Sequence, residues 1–385
     1  MANVDFTYGD EEVTLVIPNK NILGFIDNNQ DKSVGDSSQN CSIDDLVKNT
    51  LYSPIGSPPL RQILKKNKPE YMVIIVSDIS RNIKNYYKIL DLLIGEIVEA
   101  GVKEENIEFI VALGTHRVHT ADENKILYGP LVEKFKFSFH DCNKDLKIIG
   151  KTGTGLEVSV NEKVAEADLV ITTGRINFHY LAGFSGGRKS IMPGVAGYET
   201  VRENHAKLLR PGIELGLLES NIIHNEMSEA ARMVGVDFTL NVIEDHNQNT
   251  IWIKAGNPET VFGIGTKLFK DKFSFSVKER ADCIFVAAGR DDRDFFTAHK
   301  ILNFAVGYIK PGGSVILLAK ASAGLGNEKF SNYLRGNSLD RLISYPETDI
   351  MIGGHRAFTT ACLLKNYKVY VVSSVNNEIL TQMHL

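Results

Sequence analysis

The chain has 385 residues, 43% of them hydrophobic and 23% charged, with a formal net charge of -4. That is a globular composition long enough for two cores, and its slightly acidic balance argues against nucleic-acid or anionic-membrane binding. No apolar run reaches the roughly 18 residues of a membrane span. The acidic start "MANVDFTYGDEE" lacks the layout of a secretory leader. Four scattered cysteines (Cys41, Cys142, Cys283, Cys362) form no C-x-x-C pair, so reduced thiols in a cytoplasm are expected.

In chain order, the first strand is expected at "VTLVIP" (13–18), and the polar stretch "NQDKSVGDSSQN" (29–40) reads as a solvated loop. Strands follow at "MVIIVSD" (72–78), "IEFIVALG" (107–114) and "DLVITTG" (168–174). Between the first two of these, "NYYKILDLLIGEIVEAG" (85–101) has apolar spacing of three and four, which predicts a helix stopped by Gly101. Later strands are expected at "DCIFVAAG" (282–289), "SVILLAK" (314–320), "DIMIGG" (349–354) and "KVYVVSS" (368–374). Short β-branched and aliphatic runs separated by helix-length segments imply an α/β fold. The expectation is two domains, residues 1–275 and 276–385, each a mainly parallel sheet flanked by helices. The charged "FKDKFSFSVKERA" marks the junction, and the active site is expected in the cleft between the two.

Ligands of open α/β sheets sit beyond the carboxyl ends of the strands. Those ends carry Asp78 and Arg81; Thr115, His116 and Arg117; Arg175 and His179; and Arg290, Asp292 and Arg293. Each has a plainer reading. His116 and His179 could be surface or structural histidines, and His205 could lie on an amphipathic helix. Lys189 and Lys300 could be solvated. Asp78 and Arg81 could form a local ion pair or hold a phosphate or carboxylate. His119, His140, His224, His246, His299, His355 and His384 share no ligand spacing and read as structural or solvated.

Familiar signatures are absent. "HYLAGFSGGRKSIMPG" (179–194) looks like a Walker loop, but Arg188 stands where its second glycine belongs. "GIGTKLF" (263–269) lacks the third glycine of a dinucleotide fingerprint, and H-E-x-x-H does not occur.

The ordered set "SDISR" (77–81), "GTHR" (114–117), "HYLAGFSGGRKSIMPG" (179–194) and "NHAKL" (204–208) resembles the lactate racemase family, with "SPIGSPPLRQIL" (53–64) adding to the match. The resemblance runs from about residue 10 to 375. It implies an isomerase: a nickel-pincer-dependent racemase or epimerase of a 2-hydroxy acid, working by reversible hydride transfer through a 2-keto acid. By the same resemblance, Lys189 tethers the pincer mononucleotide covalently and His205 binds nickel. His116 and His179 are the acid/base pair. Asp78 and Arg81 belong to the cofactor and substrate site, Gly186 and Gly187 let the backbone pass close to the cofactor ring, and Lys300 contacts substrate. Cofactor-building enzymes are implied as partners; the oligomeric state is left open.

Two departures stand out. Thr297 occupies the place three residues before Lys300 where a glutamine is expected, which opens the substrate to hydroxy acids other than lactate. The chain also ends soon after "VYVVSSVNNEILTQMHL", where relatives continue through another helix and strand, so the second domain's edge is expected to be less well covered. The alternatives are a 2-hydroxy-acid oxidoreductase using the same cofactor, and a protein that stores or delivers it. The pair His116 and His179 favours catalysis, because storage does not require two bases.

Overall fold

The structure, a computed structural model, describes residues 1–25, 42–245, 247–275 and 277–385. The stretch 29–40, Cys41 and His246 lie outside the described residues. An antiparallel hairpin opens the chain, β1 (Ala2–Tyr8) against β2 (Glu11–Ile17). Its one-in, one-out burial suits a ribbon with one face covered. The run at 13–18 is therefore part of a hairpin and not of a parallel βα unit.

Next come β3 (Met72–Ser77), β4 (Ile107–Ala112), β5 (Lys136–Phe139), the hairpin β6 (Leu146–Lys151) with β7 (Glu157–Asn161), and β8 (Leu169–Arg175). A two-residue ribbon, β9 (Phe178–His179) with β10 (Gly183–Phe184), precedes β11 (Phe238–Glu244) and β12 (Thr250–Gly256). These build a six-stranded sheet in the order β12-β11-β8-β3-β4-β5. Every pairing in it is parallel except β11 with β12. All six residues of β3 are buried, as expected for a strand covered on both faces. The helix Tyr86–Glu99 packs Ile89, Leu90, Leu93, Ile94 and Ile97 into this core. Each such side chain contributes about 1.5–3 kcal/mol when buried. Gly101 takes the left-handed conformation just beyond that helix (φ +100°).

The remaining strands, β13 (Ala281–Ala287), β14 (Ile309–Leu318) and β15 (Lys368–Val372), form a second, wholly parallel sheet with β14 in the centre. "DIMIGG" is not a strand. It forms turns that lead into the helix His355–Asn366.

The chain divides into two compact units, Asn28–Asn204 with Gly212–Ser274, and Met1–Asp27 with His205–Pro211 and Phe275–Leu385. The N-terminal hairpin thus groups with the three-stranded sheet. Phe6 meets Phe285 (ring centroids 6.2 Å apart), the Gly9 N–H donates to Asp292, and Lys320 pairs with Glu11 at 2.8 Å.

Candidate active site

In the larger unit the site grows from the carboxyl end of β3. Ser77, its last residue, is pinned by two tyrosines: its N–H donates to the Tyr86 hydroxyl (2.9 Å) and its carbonyl accepts from Tyr128 (2.8 Å). Asp78 follows at 2% exposure. Its carboxylate accepts from His116 Nδ1 (2.6 Å) and the Ser80 hydroxyl (2.8 Å), with an Arg81 nitrogen 3.8 Å away. Burial pushes this carboxyl up, but the His116 hydrogen bond and the Arg81 charge outweigh it and hold it below the ordinary range. Because a carboxylate only accepts, His116 Nδ1 carries the hydrogen and Nε2 keeps the lone pair in the neutral ring. The His116 side chain is about half exposed (48%), so it can be reached from outside.

His119 ties the same two loops together. Its Nε2 accepts from the Ile79 N–H (3.0 Å), and Nδ1 bonds Asn124 Oδ1 (3.1 Å). Read from sequence as structural or solvated, it is a buried bridge that fixes the backbone beside Asp78.

Lys189 lies in a 3-10 turn, Gly187–Ser190, and is 5% exposed. Several contacts fix the turn. The Gly187 N–H donates to Asn241 Oδ1 (2.9 Å), the Ser190 hydroxyl to the Thr173 carbonyl (3.0 Å), and the Gly194 N–H to the Lys189 carbonyl (3.1 Å). The Gly194 carbonyl in turn accepts from Gly114 N–H (2.8 Å), two residues before His116. One glycine therefore links the His116 loop to the Lys189 turn.

The neighbouring glycines are required by protein packing. A Cβ on Gly186 would stand 2.8 Å from Asn241, and one on Gly187 3.0 Å from Phe262. The close approach they permit in this structure is that of the Asn241 and Phe262 side chains.

His179 is held by another device. On β9 it pairs with Gly183, and its Nδ1 accepts from the Leu181 and Ala182 N–H groups, both at 3.2 Å. Its neutral ring thus carries the hydrogen on Nε2, the opposite tautomer from His116. Two other strand-end cations of the larger unit are engaged in ion pairs: Arg175 with Glu244 at 2.8 Å, and Arg117 with Glu123 at 2.5 Å.

Comparison with known proteins follows these residues. The lactate racemase N-terminal domain family matches residues 8–216, more than half of the chain. The lactate racemase of Thermoanaerobacterium thermosaccharolyticum is 30% identical over 389 residues, covering 98% of this chain and 89% of the relative. The chain belongs to the lactate racemase family. The lactate racemase of Lactiplantibacillus plantarum is also 30% identical, over 100% of this chain and 92% of its own. The structure of the Thermoanaerobacterium lactate racemase apoprotein matches with a TM-score of 0.88 at 28% identity, over 99% of this chain and 91% of that one. A Thermotoga maritima protein, 18% identical over 86% of this chain and 92% of its own, has the same fold at a TM-score of 0.65. The chain is thus an isomerase of the lactate racemase family.

The smaller unit of this lactate racemase homologue carries the other expected residues. His205 sits near the end of the helix Tyr198–Ala206, 8% exposed, its ring edge-to-face with His355 (centroids 5.7 Å apart). His355, read from sequence as structural or solvated, is a buried neighbour of the expected metal ligand. Burial first, then the charge of His205, holds its pKa well below the ordinary value. Thr297 and Lys300 lie three apart on consecutive helical turns, Phe295–Ala298 and His299–Ile301, a spacing that puts both on one side. The Thr297 N–H is capped by Asp294 Oδ1 (2.8 Å). Asp292, noted at a strand end, accepts three backbone N–H groups, from Gly9, Lys320 and Ala321. That is a structural role.

Proposed function

We propose that this family member is a nickel-pincer-dependent racemase or epimerase of a 2-hydroxy acid. Relatives named lactate racemase support the substrate class. The single observation that carries the chemistry is the Asp78–His116 pair, a half-exposed imidazole oriented by a buried carboxylate.

The residues present fit the cofactor. Among the described residues no cluster of three or more His, Cys, Asp and Glu side chains could hold a metal alone. A metal here therefore relies on donors brought by the cofactor, to which His205 adds one buried imidazole. Lys189 supplies the amine for covalent attachment from a turn with little freedom to move. When bound, the pincer nucleotide supplies a group that accepts hydride from the α-carbon and returns it.

The chain's own residues do the rest. His116 takes the hydroxyl proton at Nε2 while Asp78 stabilises the imidazolium that forms. His179 donates an Nε2–H hydrogen bond to the oxygen of the mirror-image product, and the proton that oxygen takes up is the one His116 holds. By the family resemblance, Arg81 of the larger unit and Lys300 of the smaller are the candidates for binding the substrate carboxylate, and Thr297 is shorter than the glutamine expected there, which suits a substituent beyond lactate. Loading of this site requires partner enzymes that build the cofactor.

Protein matured with such enzymes, given one enantiomer of a panel of 2-hydroxy acids in deuterated water, should racemise its substrate and keep hydrogen on the α-carbon. Deuterium at that carbon would reject hydride return, and accumulation of keto acid would indicate an oxidoreductase. Lys189→Ala should lose the covalent mass increase, and His205→Ala should lose nickel while keeping its circular dichroism spectrum.

A further inference from the structure

The larger unit contains a cavity of about 790 Å³ between the helices Ile222–Val234 and Pro258–Phe273, with Gly187 and Arg188 in its wall. None of Asp78, Arg81, His116, His179 or Lys189 lines it, so it is separate from the chemistry described above.

Arg188 is the unusual feature of that wall. It is 6% exposed, yet every group it hydrogen-bonds is neutral. Nε donates to His224 Nδ1 at 3.0 Å, and the two terminal nitrogens donate to the carbonyls of Ala182 (2.7 Å) and Gly186 (3.3 Å). The Phe262 ring lies 4.1 Å from the guanidinium carbon. Burial alone, with no neighbouring carboxylate to oppose it, pushes this guanidinium down to about 9. His224 stays neutral, pushed down to about 3 by burial and then by the Arg188 charge.

A guanidinium has five N–H groups, and these three bonds leave two, one on each terminal nitrogen. Neutral acceptors and an aromatic face offset only part of the cost of burying a cation. A planar carboxylate matches the remaining donors. We infer that the cavity is a binding site for a small organic monocarboxylate, its oxygens taken by Arg188 and its apolar body packed against Phe262, Leu218 and Val236.

The other charges of the wall select against larger anions. Glu229 accepts the Gly153 N–H (2.6 Å), and Glu259 pairs with Arg232 at 2.7 Å. Arg232, also in the wall, neutralises Glu259, so it is the Glu229 carboxylate that would repel a second negative group on the ligand.

Calorimetric titration of the full chain with benzoate, and with benzamide as its uncharged isostere, tests this. Benzoate should bind saturably and benzamide at least about tenfold more weakly, the scale of one charge-assisted contact. Gly263 lines the cavity, and a Cβ added there meets nothing within 4 Å. Gly263→Trp should therefore fill the space without disturbing Arg188 and abolish binding, whereas Arg81→Ala should leave it intact. Arg188→Met should match Gly263→Trp; if it fails to fold, Gly263→Trp alone decides. Equal affinity for the two probes, absence of saturable binding, or binding lost in Arg81→Ala and kept in Gly263→Trp would each overturn the site.

Discussion

Asp78 is almost wholly buried and its carboxyl still titrates below the ordinary range, because His116, Arg81 and Ser80 all face it. A carboxylate so placed does for His116 what no solvent-exposed acid does: it fixes the ring and the position of its hydrogen. Asp78→Asn keeps the size but reverses the donor pattern. In cofactor-loaded protein the expected fall in kcat for racemisation is roughly 10²–10⁴-fold, the usual worth of a positioned acid/base group, with KM moving much less. An unchanged kcat would remove Asp78 from this role. Asp78 and His116 were legible from sequence because both directly follow strong apolar runs. Tyr86, Tyr128 and His119, which hold the backbone beneath them, were not. A tyrosine on an amphipathic helix looks like core, and nothing local shows where its hydroxyl ends.

At the scale of elements, β3, β4 and β8 were readable because strands covered on both faces carry runs of at least three consecutive apolar residues, here 72–76, 109–112 and 169–171. β11, "FTLNVIE", escaped although all seven of its residues are buried. Thr239 and Asn241 interrupt its pattern, and their side chains are spent on Thr172 and on the Gly187 N–H. The glycines around Lys189 belong to this scale too. Gly183 has φ +71°, and a Cβ there would lie 2.3 Å from the Leu217 carbonyl. Gly183→Ala should cost about 1–3 kcal/mol in denaturant unfolding. Gly263→Ala, in open space on a helix, should be neutral or stabilise by up to about 1 kcal/mol. Equal stability of the two variants would show that the ribbon tolerates the side chain.

For the whole molecule, the buried neutral histidines shape the response to acid. His224 and His299, drawn from the two units, are both pushed down to about 3, by burial first and then by nearby Arg charges. In the unfolded chain each binds a proton near its ordinary 6.5, so below that pH the unfolded state holds the extra proton. Stability is then full above about 6.5 and falls as pH drops toward 3, by up to about 1.4 kcal/mol per pH unit for each histidine. His299 stacks on Phe330 with ring centroids 4.5 Å apart. His299→Phe should flatten the decline in urea midpoint between pH 6.5 and 4; an unaltered slope would mean that His299 does not set it. The sequence by itself determined the α/β class, three of the six strands of the larger sheet (β3, β4 and β8), and which side chains stand at their ends, because those depend on patterns a few residues long. Only the tertiary structure decided that His116 meets a carboxylate 38 residues away, that Gly114 docks on Gly194, and that the first hairpin joins the last sheet. Such pairings require closing long loops, and what repays that entropy is mutual packing and hydrogen bonding that no local pattern records.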